Sequence, residues 1–265
     1  MNVDVFQGMV AVEGIDNWRR PGWPESGGLA SIVAAHQYRV VFRLLEPYLD
    51  SGAPKDVLDW GCGTGAFSYA IVMEGHNVWG TDPRTPPMME FIAGAAGPRY
   101  HFDLAEDSVL LPYPDSSFDV VLSNGCLEHV GETGGSDVRS LEEIYRVLRP
   151  GGAFVCSHLP NRHSYIEAIA RAIKKPAKRH FGRFVYSHEF LYTPEEIRTM
   201  AGNAGYTVTS VEAYGLIPRN PLSSLPSSIR DSEWFIRCID GIDDGLAHPL
   251  RLVCQNLAWV GVKPR

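Results

Sequence analysis

The spacing of apolar positions changes several times along the chain. Between Ser26 and Asp50 it is helical: Leu29, Ile32, Val33, Val40, Val41, Leu44 and Leu45 make one broad face. Gly52, Ala53 and Pro54 end that helix. From residue 55 onward short apolar runs alternate with helical stretches. Asp56–Trp60, Asn77–Asp82, Tyr100–Asp103, Phe118–Ser123 and Ala153–His158 read as five strands. Ala66–Glu74 reads as a helix closed by Gly75, and Ser136–Leu148 as a helix stopped before Pro150-Gly151-Gly152. Thr193-Pro194-Glu195-Glu196 is a capping box with proline at the first helical position, and its helix ends near Ala204 before Gly205. Tyr206–Tyr214 and Cys254–Val262 supply a sixth and a seventh strand.

This alternation predicts an α/β fold, a seven-stranded, mostly parallel sheet with helices on both faces. An N-terminal helical cap over 1–52 would precede a ligand-binding domain over 53–265. About 40 residues separate the last two strands, against a usual connection of about 4–6. That long insertion holds Pro218, Pro221, Pro226 and an expected short helix at Asp231–Asp240. The segments near 160–192 and 215–250 are expected to be lids over a substrate.

Composition narrows the picture. Of 265 residues 45% are hydrophobic and 21% charged, with a net charge of −7. Such a chain packs a core, and its acidity makes nucleic acid an unexpected partner. No eighteen-residue apolar run predicts a membrane-spanning helix. Met1–Trp18 carries Asp4, Glu13 and Asp16 with no Lys or Arg, unlike a signal peptide, so a cytoplasmic location is expected. The five cysteines (Cys62, Cys126, Cys156, Cys238 and Cys254) form no C-x-x-C, and no metal site is expected. Residues 161–183 set seven basic side chains against Glu167 alone. A solvated end of an amphipathic helix is the simpler reading, and peripheral contact of 162–183 with an anionic membrane surface the sharper one.

Candidate chemistry begins where the first strand runs into Gly61-Cys62-Gly63-Thr64-Gly65. Strand, glycine loop and helix together form a nucleotide-binding arrangement, because glycine lets the backbone turn tightly and approach a ligand. Asp82 ends the second strand, 21 residues past Gly61. A carboxylate there suits the hydroxyls of a ribose, in NAD or any other adenosine ligand. Asp59, two residues before Gly61, separates the options. It would repel a pyrophosphate and suits a cationic ligand such as S-adenosylmethionine. An NAD-dependent oxidoreductase and a non-catalytic binding or partner subunit stay open as alternatives.

The segment Val57-Leu58-Asp59-Trp60-Gly61-Cys62-Gly63-Thr64-Gly65 resembles the first motif of the class I S-adenosylmethionine-dependent methyltransferases. The resemblance continues through Gly80-Thr81-Asp82-Pro83, Leu111–Val121, Leu127-Glu128-His129-Val130, Glu143–Gly152 and Tyr192–Tyr206. It covers about residues 55–214 and is similar to the branch of ubiquinone, menaquinone and small-molecule methyltransferases. It implies a Rossmann-like fold and methyl transfer to a small molecule, most often at a hydroxyl oxygen, with lipid-like and glycan-linked acceptors both open. It also implies that Asp59 and the loop Gly61, Cys62, Gly63, Thr64 and Gly65 hold the methionine part of the cofactor. Asp82 would hold the ribose, Pro83, Asp103 and Leu104 would lie by the adenine, and Asn124 and Cys126 would touch the cofactor backbone. Trp60 departs from the smaller residue frequent in the family. His129 and His158 follow strands four and five, where ligands of such sheets bind, and each is a candidate general base.

Overall fold

A computed structural model describes residues 8–9, 31–50, 52–86, 89–107, 109–172, 190–247 and 249–265. The Trp18 and Trp23 region and the basic residues from Lys174 to Arg183 lie outside the described residues. No described helix is long and apolar enough to cross a membrane, no described group of His, Cys, Asp and Glu could hold a metal ion, and no disulfide joins any of the five cysteines.

Seven strands form one sheet: β1 (Asp56–Trp60), β2 (Asn77–Asp82), β3 (Tyr100–Leu104), β4 (Phe118–Asn124), β5 (Leu148–Pro160), β6 (Thr207–Tyr214) and β7 (Asn256–Val262). Their order is β3-β2-β1-β4-β5-β7-β6. Pairing is parallel from β3 through β5, and β7 runs antiparallel between β5 and β6. The direction of the chain outward from β1 reverses between β1 and β4, the switch point of an open α/β sheet, where ligands bind beyond the carboxyl ends of the strands.

Alternating strand residues divide between two cores. Val57, Val78, Val120, Leu122, Val155 and Val260 face one side, together with α1 (Arg39–Leu49), α2 (Ala66–Met73) and α3 (Met89–Ala96). Leu58, Val121, Phe154, Leu257 and Trp259 face the other, with α4 (Asp137–Val147) and α5 (Pro194–Asn203). Both faces are covered, and so the strands read as continuous apolar runs. Each buried aliphatic side chain contributes about 1.5–3 kcal/mol of transfer free energy.

Local signals account for most boundaries. Ser136 caps α4 by accepting the Arg139 N–H. Thr193 and Glu196 complete the capping box of α5 reciprocally. The first helical pattern is divided: Ile32–Ala35 is one helical turn, His36–Tyr38 is a tighter 3-10 turn, and α1 follows with Pro47 inside it. β5 starts at Leu148, five residues before the expected strand, because Pro150-Gly151-Gly152 continues it rather than forming a loop. Helix α3 gave no sequence signal, being short, glycine- and alanine-rich, and buried only at Ile92 and Ala96. In the late insertion, Ser227–Arg230 is a helical turn and α6 spans Glu233–Ala247, longer than the expected Asp231–Asp240.

Candidate active site

The glycine loop closes the carboxyl end of β1. Gly61, Gly63 and Gly65 have φ of +72°, +55° and +89°, a left-handed region that costs other residues roughly 1–2 kcal/mol. Two of them are also pressed by neighbours. A Cβ on Gly61 would lie 2.4 Å from Cys126 Sγ, and one on Gly65 would lie 2.6 Å from Ile92 Cδ1. At Gly63 nothing lies within 4 Å, so the loop presents open backbone there. The Gly61 and Cys62 N–H groups donate to the Thr81 carbonyl at 2.8 and 3.0 Å, tying the loop to the end of β2.

Two carboxyls brace this loop. Asp82 is nearly buried; its Oδ2 accepts the Gly63 N–H at 3.1 Å and its Oδ1 accepts the Arg84 N–H at 3.0 Å. Burial pushes the Asp82 carboxyl up, against those two amides and the Arg84 charge. Asp59 lies beneath the loop rather than in its opening. Its side chain is 2% exposed and Oδ2 accepts the Ser68 hydroxyl of α2 at 2.6 Å. Burial raises this carboxyl to about 6, opposed by Ser68 and reinforced by the Asp82 charge. A positive charge brought to the loop would relieve both carboxylates, which fits a cationic ligand.

The remaining candidates spread around this centre. The Cys62 side chain turns inward toward Gly80, 3.1 Å from where a Cβ would stand, and burial holds its thiol well up. Thr64 is half-buried on the loop, and Pro83 is exposed beyond β2. Asp103 accepts the Tyr113 hydroxyl at 2.9 Å, while Leu104 is 52% exposed. Asn124 Oδ1 accepts the Ser157 hydroxyl at 2.9 Å, joining the ends of β4 and β5. Cys126 packs its sulfur under Gly61.

The two histidines differ. His129 sits on the 3-10 turn Leu127–Thr133 with Nδ1 3.1 Å from Glu132 Oε1, and its side chain is 38% exposed. His158 stands at the β5 bulge with φ +65°, one of two non-glycine residues with positive φ among those described. Tyr214 accepts its N–H at 3.0 Å, and the Tyr38 ring lies 5.8 Å from the imidazole. A strained backbone held by neighbours at a strand bulge is a frequent mark of function. Sequence reasoning did not single out Ser68, Tyr113, Tyr38 or Tyr214. Their roles arise from contacts between distant segments.

The switch-point site, the braced glycine loop and the strand order define an α/β fold that takes an adenosine-type ligand. The comparisons with known proteins agree. A family profile described as a methyltransferase domain matches residues 58–156. The ubiquinone biosynthesis O-methyltransferase of Cupriavidus pinatubonensis is 31% identical over 185 residues, covering 68% of this chain and 70% of that one. The demethylmenaquinone methyltransferase of Thermus thermophilus is 30% identical over 173 residues, covering 59% and 76%. The norajmaline N-methyltransferase of Rauvolfia serpentina is 30% identical over 168 residues, and this chain spans only about half of its length, 54%. Among solved structures, the Burkholderia thailandensis 1,6-didemethyltoxoflavin-N1-methyltransferase superposes with a TM-score of 0.57 at 21% identity, covering 86% of this chain and 79% of that one. That structure holds 1,6-didemethyltoxoflavin and S-adenosylhomocysteine. The chain belongs to the class I S-adenosylmethionine-dependent methyltransferases, and S-adenosylmethionine is the cofactor of that family.

Proposed function

We propose that this protein transfers a methyl group from S-adenosylmethionine to a hydroxyl oxygen of a small molecule, and that His158 takes the hydroxyl proton. The observation that carries the cofactor part is the open backbone at Gly63, locked from behind by Asp82. On this reading the Gly61–Gly65 loop faces the methionine portion, Asp59 supplies negative charge from beneath it, and Asp82 faces the ribose. Pro83, Asp103 and Leu104 border the adenine, and Asn124 and Cys126 floor the cleft. When bound, the cofactor supplies an electrophilic methyl group on a sulfonium, so the C–S bond breaks as the O–C bond forms. The protein's own work is alignment and proton removal, and alignment alone can supply much of the rate.

His158 is preferred to His129 on three counts: its backbone is held by Tyr214, its ring is backed by Tyr38, and it sits at the β5 bulge next to Ser157, which pairs with Asn124 at the β4 terminus. His129 is engaged by Glu132 toward solvent. The N-terminal helix and the 215–250 insertion form one cover on this reading. Ser31 meets Ser223 at 2.8 Å, His36 Nδ1 meets Asp240 Oδ2 at 3.0 Å, and Arg39 meets Asp244 at 2.5 Å. Together with the 160–192 segment they would select the acceptor, and the basic stretch 162–183 would draw anionic or lipid-borne acceptors near.

An acceptor screen with a labelled methyl donor tests this. Label on a hydroxyl-bearing small molecule, lost in His158→Gln and retained in His129→Gln, is the expected result. Transfer only to nitrogen or carbon acceptors, or transfer indifferent to His158, would overturn it.

A further inference from the structure

Glu128 is a buried carboxylic acid with no part in the reading so far. It follows β4 on the Leu127–Thr133 turn and is 3% exposed. Its Oε2 has no hydrogen-bond partner among the described residues. A dry, unpaired carboxyl oxygen costs stability, and an apolar residue would pack the same place without that cost. Burial raises the carboxyl to about 8, opposed by its own backbone N–H and aided by the Glu132 charge. The groups facing it are Glu132 on its own turn, Cys126 just before it, Cys156 and His158 on β5, Tyr214 on β6, and Tyr192. The thiols and phenols among them are themselves held up by burial and stay neutral. Among the described neighbours, His158 is therefore the group that can turn positive beside Glu128.

Gly125 brings the two together. Its φ is +68°, and a Cβ there would lie 3.7 Å from His158 Cδ2 and 3.8 Å from Glu128 Oε1. Imidazole and carboxyl thus both border the space that a side chain at Gly125 would fill. We propose that Glu128 is a positioning residue for His158: its carboxyl, which borders the Gly125 gap together with the imidazole, supplies the negative charge that pairs with the ring once the ring has received the acceptor's proton. This rests on the reading of His158 given above. The acceptor's proton passes to the imidazole. Glu128 releases its own proton to water as the imidazole becomes charged, leaving a neutral ion pair. A base oriented and charge-balanced by a third group is a recurring design in nucleophile activation.

The test is a histidine NMR titration of the whole protein, with the His158 signal assigned by its loss in His158→Gln. It needs neither acceptor nor turnover. The His158 midpoint is expected to fall by about half a pH unit or more in Glu128→Gln, with Glu128→Asp keeping part of the elevation. Binding of S-adenosylhomocysteine by calorimetry should stay within about twofold of wild type in both variants. An unchanged His158 midpoint in a folded Glu128→Gln protein would overturn the proposal. Should that variant fail to fold, the wild-type curve decides: two coupled steps support the pair, and a single step contradicts it. Absence of S-adenosylhomocysteine binding by the wild type would instead overturn the methyltransferase reading, leaving the coupling measurement intact.

Discussion

The glycine loop and the contact between the N-terminal helix and the late insertion are built differently. The glycine loop is a backbone device: positive-φ glycines at a strand end, two amides bonded to Thr81, and a carboxylate holding the Gly63 N–H. The contact between the N-terminal helix and the late insertion, proposed above as a cover, is a side-chain device. Arg219, wholly buried, reaches Asp240 at 2.6 Å and Asp243 at 3.2 Å, while His36 and Arg39 approach the same acids from the N-terminal helix. Asp243 Oδ1 also accepts the Leu216 and Ile217 N–H groups at 2.8 and 3.1 Å. Burial alone would raise Asp240, but the His36 hydrogen bond and the Arg219 and Arg39 charges hold it below the usual carboxylate range. A backbone device tolerates almost no change of residue. A side-chain device can be rebuilt with other residues, as an acceptor-selecting cover would require.

The strongest way to break this comparison is at Arg219. Arg219→Ala leaves Asp240 and Asp243 with only His36 and the more distant Arg39 to balance them, and removing one partner of such a largely buried cluster costs about 3–5 kcal/mol. The account expects hydrogen exchange to rise across 216–247 while S-adenosylhomocysteine affinity stays near wild type. Equal loss of cofactor binding would mean that the two regions form one unit.

The glycines come next. Gly61→Ala meets Cys126 as well as positive φ, adding about 1–3 kcal/mol of overpacking to a backbone cost of about 1–2 kcal/mol. Gly63→Ala pays only the backbone cost, since its surroundings are open. Thermal melts should show Gly61→Ala clearly the less stable, whereas calorimetry should show Gly63→Ala losing cofactor affinity with its fold intact. A stable, fully binding Gly63→Ala protein would contradict the assignment of that face to the cofactor.

Asp59 gives a smaller effect than Arg219, and a sign. Its folded value of about 6 stands above its ordinary 3.8. Between those values the unfolded chain has lost the proton and the folded chain keeps it, so this group's contribution to stability falls as pH rises from 3.8 to 6 and is level above. Asp59→Asn should therefore be more stable than wild type at pH 7, by about 2–3 kcal/mol at most, and equal to it near pH 3.5. Its affinity for the cationic cofactor should be weaker. A variant less stable at neutral pH would show that ionised Asp59 stabilises the empty fold.

The same contrast explains what the sequence made legible. Strand limits, the α5 cap, the glycine loop and the positions of Asp59 and Asp82 depend on residues close in the chain, where period, turn chemistry and motif carry the information. The pairing of His36 with Asp240 joins residues 204 apart, and no local pattern encodes it. Nor does one encode the inward turn of the Asp59 carboxyl onto Ser68, which depends on how α2 packs over β1. Glu128 was visible only as a motif letter beside His129. Its burial follows from the turn after β4 folding against β5, and its neighbourhood with His158 from the bare Gly125 that both border.

The central claim is that the loop braced by Asp82 holds S-adenosylmethionine, and titration calorimetry of S-adenosylhomocysteine into wild type and Asp82→Ala tests it most directly. The account predicts micromolar binding by wild type and at least a tenfold loss in a folded Asp82→Ala protein, about 1.4 kcal/mol or more. Equal affinity in the two proteins, or no binding by folded wild type, would contradict it.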